Sequence, residues 1–186
     1  MSSVRVKICG ITSLEDALQA ADAGADALGF IFHPPSPRYI DPKEAAAIIR
    51  DLPPFVQTVG VFVNVEGAVV EATAARCGLG IVQLHGDESP EYCEALPLRK
   101  VKSLRVRDEA SVAVAASYRV AALLLDTYSP HAYGGTGETF NWEIAQRAAY
   151  SHRIILAGGL NPENVAAAVS AVSPYAVDVC GGVERA

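Results

Sequence analysis

Eight short apolar runs, seven of them followed by a stretch with helical spacing, constrain this chain more than anything else in it. The runs are Val4–Cys9, Asp26–Phe32, Val56–Val63, Gly80–Leu84, Lys100–Val106, Val120–Asp126, Arg153–Ala157 and Ala176–Cys180. They recur every ~20–30 residues, the βα rhythm of a parallel sheet covered by helices. Several lack polar alternation, as expected of strands buried on both faces. Eight such units close as an α/β (β/α)8 TIM barrel, in which chemistry sits at the C-terminal strand ends. An open doubly wound sheet is the alternative. It brings the first, sixth and eighth strand ends together less readily, and G-x-G-x-x-G is missing after the first run.

Helix punctuation agrees with the strand spacing. Thr12 with Glu15 reads as a capping box ahead of the stripe Leu14, Ala17, Leu18, Ala21, which Gly24 stops. Asp41-Pro42 and Ser89-Pro90 each combine a cap with an N1 proline. Asp108–Ser117, the segment capped by Asn141 and the one opening at Asn161 read as further helices. Residues 1–186 are expected to form one domain, shorter than the ~250 residues usual for this fold. The eighth, closing helix is lacking, which predicts a thinly covered apolar stripe beside the first and last strands.

Composition narrows the function. A net charge of −6 disfavours a nucleic-acid partner, and no apolar run approaches the ~20 residues that cross a bilayer. Cys9, Cys77, Cys93 and Cys180 are scattered, which reads as reduced thiols in a cytoplasmic protein. The four histidines show no ligand spacing, so no metal is expected.

The polar residues fall at strand ends. Leu123–Leu125 runs directly into Asp126, and a turn-rich loop then closes on Gly134-Gly135-Thr136-Gly137. Gly158-Gly159 and Gly181-Gly182 follow the next two strands. Glycine N–H groups at the last loops of a barrel are suited to holding a phosphate. Cys9 ends the first strand; buried thiols are commonly structural, but one facing an acid is a candidate base. Arg38, in a loop stiffened by three prolines, can hold a carboxylate through two parallel bonds. His85 either orients a substrate or caps its strand. His33, His131 and His152 read as loop residues and Trp142 as core.

Taken in order, Lys-Ile-Cys-Gly-Ile-Thr, Gly-Ala-Asp-Ala-Leu-Gly-Phe-Ile-Phe, Ser-Pro-Arg-Tyr-Ile, Val-Gln-Leu-His-Gly, Leu-Leu-Asp-Thr, Gly-Gly-Thr-Gly, Ala-Gly-Gly-Leu-Asn-Pro-Glu-Asn-Val and the final Asp-Val resemble the phosphoribosylanthranilate isomerases of tryptophan biosynthesis. The resemblance spans nearly the whole chain. It implies a barrel without cofactor that carries out an Amadori rearrangement on a small phosphorylated substrate, as a monomer or homodimer. It further implies Cys9 as general base, Asp126 as general acid and Arg38 on the anthranilate carboxylate; His85 and Asp178 are read beside them as candidate substrate-binding residues. Gly135, Gly158, Gly159, Gly181 and Gly182 are left for the phosphate. The chain departs from the family at Cys180-Gly181, where Ser-Ser is usual. Competing readings are another phosphate-binding barrel, or a barrel that binds such ligands without turnover. Indole-glycerol-phosphate synthase would need a lysine and a glutamate at strand ends. Lys102 lies in the fifth strand, and the sequence suggests no acidic partner for it.

Overall fold

The computed structural model of the chain describes residues 4–128, 141–149 and 152–184. Eight strands, β1 (Arg5–Cys9), β2 (Ala27–Ile31), β3 (Gln57–Phe62), β4 (Ile81–Leu84), β5 (Lys100–Val106), β6 (Ala122–Thr127), β7 (Ile154–Leu156) and β8 (Ala176–Val179), run parallel in sequence order. β1 pairs with both β2 and β8, which closes the barrel. The helices between the strands are α1 (Leu14–Asp22), α2 (Pro42–Arg50), α3 (Gly67–Cys77), α4 (Pro90–Ala95), α5 (Ala110–Ala113), α6 (Trp142–Ala149) and α7 (Val165–Val172). The expected barrel is therefore present. A 3-10 turn, Gly181–Val183, follows β8 as the last described element.

Strand alternation sorts the side chains into two layers. Val101, Ala122, Leu124, Ile155, Ala157 and Ala176 fill the barrel interior. The intervening residues pack outward under the helices, in one cluster around Leu28, Phe30, Phe62 and Leu84 and another around Leu123, Leu125, Ile154 and Leu156. Every residue of β6 is buried, which explains its unbroken apolar run. Full burial of each leucine there is worth about 1.5–3 kcal/mol.

The helix starts follow their chemistry, with one shift. Asp41 accepts from the Lys43 N–H with Pro42 in the first turn, and Ser89 accepts from the Tyr92 N–H. At α1 the cap is Ser13 rather than Thr12: Ser13 is extended (φ −133°, ψ 153°) and its Oγ accepts from the Asp16 N–H. Gly10 takes a left-handed φ of 88° and Ile11 is buried, so the turn out of β1 uses up Thr12 before the helix begins. Asp108–Ser117 forms only one α-turn, α5, continued as a 3-10 turn over Val114–Ser117. Asn161–Asn164 is a turn closed by Asn161 Oδ1, not the first turn of α7. On α1, Leu14 and Leu18 remain 36% exposed, and Val4 and Val6, at the start of the first strand, are only partly buried.

Candidate active site

Barrel closure brings the ends of β1, β6 and β8 to one mouth. Period-two alternation turns Lys7 and Cys9 of β1, Asp126 of β6 and Asp178 of β8 to the inside, with Gln83 of β4 and His85 just beyond it. Lys7 and Asp178 are partners in the β1–β8 ladder, and the Lys7 ammonium donates to Asp178 Oδ1 at 2.8 Å. Both are buried, 5% and 9% exposed. Burial raises the Asp178 pKa, and the charge of Lys7 acts in the opposite direction.

Asp126 is held from two sides. Its Oδ1 accepts the Thr127 N–H at 2.8 Å, and its Oδ2 lies 3.2 Å from His85 Nε2, off the line of a hydrogen bond. Gln83 Nε2 stands 2.9 Å from His85 Nδ1. An amide donor there leaves Nδ1 as acceptor and puts the imidazole proton on Nε2, facing the acid. His33, read as a loop residue, stands close to this group: its pKa is lowered by partial burial and then by the charge of His85.

Cys9 is half-buried, and burial pushes its thiol pKa up while Lys7 pulls it down. Arg38 lies beside it. A Cβ on Gly10 would fall 2.6 Å from Arg38 Cδ and 3.1 Å from Cys180 Sγ. The Arg38 fork is engaged by Glu184, with Nε donating to Oε1 and Nη2 to Oε2 at 2.6 Å. The two parallel bonds expected of Arg38 therefore exist, made to a carboxylate of the chain itself. Cys180, at the position where serine is usual, has its thiol pushed up to about 12 by burial and then by Cys9.

The glycine loops after β7 and β8 meet. Gly182 packs against Leu160, whose carbonyl oxygen would lie 2.0 Å from an added Cβ. Gly158 has a left-handed φ of 85°, and an added Cβ would stand 2.3 Å from Thr127 Oγ1 and 3.1 Å from Asp126 Oδ1. Among the described residues, the N–H groups of Gly158 and Gly159 have no acceptor. Gly135 lies outside the described residues. No cluster that could hold a metal occurs among the described residues, and none of their helices is long and apolar enough to cross a membrane.

One expectation is corrected. Lys102 does have an acidic partner, Glu88, at 2.8 Å. Strand alternation puts Lys102 on the side of Leu104 and Val106, toward the helices, and its ammonium also donates to Leu84 O and Gly86 O. The pair is out of reach of the mouth and tethers the loop after β4. The lysine–glutamate pair that the synthase alternative needs is thus present but on the wrong side of the wall.

The family profile described as N-(5'-phosphoribosyl)anthranilate isomerase matches residues 6–186. The N-(5'-phosphoribosyl)anthranilate isomerase of Geobacter metallireducens is 63% identical over 183 residues, 98% of this chain and 91% of that one. The solved phosphoribosyl anthranilate isomerase of Thermotoga maritima superposes with a TM-score of 0.93 at 46% identity, covering 99% and 91% of the two chains. Another solved isomerase, in complex with reduced 1-(o-carboxyphenylamino)-1-deoxyribulose 5-phosphate, gives 0.89 at 44%, covering 99% and 90%. By profile, sequence and fold, the chain belongs to the N-(5'-phosphoribosyl)anthranilate isomerase family.

Proposed function

We propose that residues 1–186 act as one catalytic unit that converts N-(5'-phosphoribosyl)anthranilate to 1-(2-carboxyphenylamino)-1-deoxyribulose 5-phosphate, with Asp126 as general acid and Cys9 as general base. Asp126 gives a proton to the furanose ring oxygen, the C1′–O bond breaks, and the anilino nitrogen takes up the positive charge as a Schiff base. Cys9 thiolate then removes the C2′ proton, and the electron pair neutralises the nitrogen to leave an enolamine. Tautomerisation of the enolamine gives the ketone. No electrons enter or leave overall, so the sequence of steps needs no redox cofactor.

The observation that carries this reading is the convergence of Cys9 and Asp126, 117 positions apart, on one mouth beside glycine N–H groups that have no acceptor among the described residues. The ligand in the solved relative is a reduced form of the product. Gly158, Gly159, Gly181, Gly182 and Gly135 serve the phosphate, and Arg38 the anthranilate carboxylate once that carboxylate displaces Glu184. His85, held by Gln83, turns its Nε2 side toward Asp126 at the substrate's edge, and Asp178 anchors Lys7 below the sugar. The four free cysteines fit a reducing cytoplasm. The fluorescence lost as substrate is consumed tests the assignment. Cys9→Ala and Asp126→Asn should each lower kcat by at least ~10²-fold, the lower end for a positioned acid or base. Near-native turnover in Asp126→Asn would sink the acid, and in Cys9→Ala the base.

A further inference from the structure

We propose that Lys7 is a positioning residue that readies Cys9 as the base of this site, with its ammonium shared between the thiol and Asp178. The inference rests on the reading of Cys9 as base and adds the group that makes that role workable. A buried thiol is a poor base because its proton is held too tightly, and thiolate forms readily only near a positive charge.

The geometry supplies one. Lys7 and Cys9 are two residues apart on β1 and point the same way. Across the ladder Cys9 faces Gly29, and the missing side chain there leaves a gap into which both lean. A Cβ on Gly29 would fall 2.7 Å from Cys9 Sγ and 3.1 Å from Lys7 Cε. Lys7 is nearly out of solvent, and Asp178 Oδ1 is its one side-chain oxygen acceptor among the described residues. An ammonium has three donors, so the Asp178 bond leaves capacity for the sulfur. Burial opposes the charge on Lys7, yet Asp178 and Cys9 together hold the ammonium protonated above the usual lysine range. After burial, which raises the thiol, Lys7 is the strongest influence on Cys9 and acts downward, whereas Asp178 acts upward.

The other described groups around Cys9 are few. β2 offers only Gly29, the turn after β8 brings Cys180, and the loop after β2 brings Arg38, already committed to Glu184. The thiol of Cys180 stays at about 12, raised by burial and then by Cys9, and the cation that acts downward on it is Arg38. Two thiols at one mouth thus differ in the cation beside them: Lys7 makes one bond to a carboxylate, whereas Arg38 has its fork engaged by Glu184.

The test reads the thiol directly, without turnover. In a Cys180→Ser background, the rate at which iodoacetamide alkylates Cys9 is followed against pH by peptide mass spectrometry, and thermal melting confirms that each variant is folded. Lys7→Met should move the alkylation midpoint up by ~1–3 pH units, the range for loss of a close opposite charge. Asp178→Asn should move it down, because the lysine is then left to the thiol alone. The opposite signs separate this role from a structural one, which gives no shift or two shifts of the same sign. If Lys7→Met does not fold, Lys7→Arg and Asp178→Asn decide. A midpoint near the parent's in the first and lowered in the second supports the proposal. A midpoint raised or unmoved in Asp178→Asn overturns it. Near-native turnover of Cys9→Ala would instead remove the base assignment while leaving these midpoints as measured, so the two failures are distinguishable.

Discussion

Two buried lysine–carboxylate pairs cross this barrel, and they are built to opposite ends. Lys102 and Glu88 face the helix layer, and every polar atom of the pair is occupied. The Lys102 ammonium donates to Leu84 O, Gly86 O and Glu88 Oε2. Glu88 accepts the Asn64 and Gly86 N–H groups. Lys7 and Asp178 face the barrel interior, and the Lys7 ammonium makes one bond to a carboxylate with donors left over. Saturated, a buried ion pair is a clamp: here it fixes the loop that begins at His85. Undersaturated, it is a source of charge for a neighbour. The number of unfilled donors, more than burial or distance, separates the two pairs.

The comparison can be broken by stripping one partner from the clamp. Lys102→Met leaves Glu88 charged and enclosed, and urea unfolding should show a loss of ~3–5 kcal/mol, whereas Lys102→Met/Glu88→Met should recover most of it. A stable single variant would mean that the network is no clamp. Next in size, Gly158→Ala should cost about 1–2 kcal/mol for a left-handed residue with a Cβ. It should also lower kcat, because the new methyl meets Thr127 and Asp126. An unaffected kcat would show that the end of β6 yields without harm to the acid.

Arg38 offers a third contrast, a cation engaged by an exposed partner. Glu184→Gln should lower KM up to ~5-fold, the equivalent of the ~1 kcal/mol ceiling for exposed pairs. Arg38→Lys should raise KM, since the fork is lost. A KM unchanged in both would remove Arg38 from the substrate. A further effect, confined to pH above the free-thiol value, is expected on stability in alkali. The Cys180 thiol is raised to about 12 in the folded chain, against about 8.5 for a free thiol. Between those values the unfolded chain sheds a proton that the folded chain keeps. Stability is therefore intact below the lower value and falls as pH climbs toward the upper one. Cys180→Ser should flatten that decline, and an identical alkaline slope in both proteins would show that Cys180 does not contribute.

The barrel was legible because short apolar runs repeat eight times, seven of them followed by a helical stretch, and a repeated signal survives local ambiguity. Cys9, Asp126, Asp178 and His85 were legible as strand-end residues on the interior parity. Other features were not. Thr12 and Ser13 both fit a cap, and only the tight turn at Gly10 decides for Ser13. Glu88 approaches Lys102 through a loop whose path depends on the left-handed Asn64 (φ 52°), which residue spacing does not encode. Glu184 reaches Arg38 across 146 positions and His33 nears His85 from a neighbouring loop, contacts that exist only after closure. Lys7 could have been found: two residues before Cys9, it shares the same face by alternation alone.

The Lys7–Asp178 bond joins the first strand to the last, 171 positions apart. Contacts of such long separation are slow to form, because the intervening chain must be ordered first. Lys7 therefore gains its carboxylate only when β8 docks on β1. On this scheme a partly synthesised or unclosed chain holds Cys9 next to a lysine with no anchor. Catalytic competence and completion of the ring then arrive in a single event, and the activity of a folding population reports the seam rather than the strands.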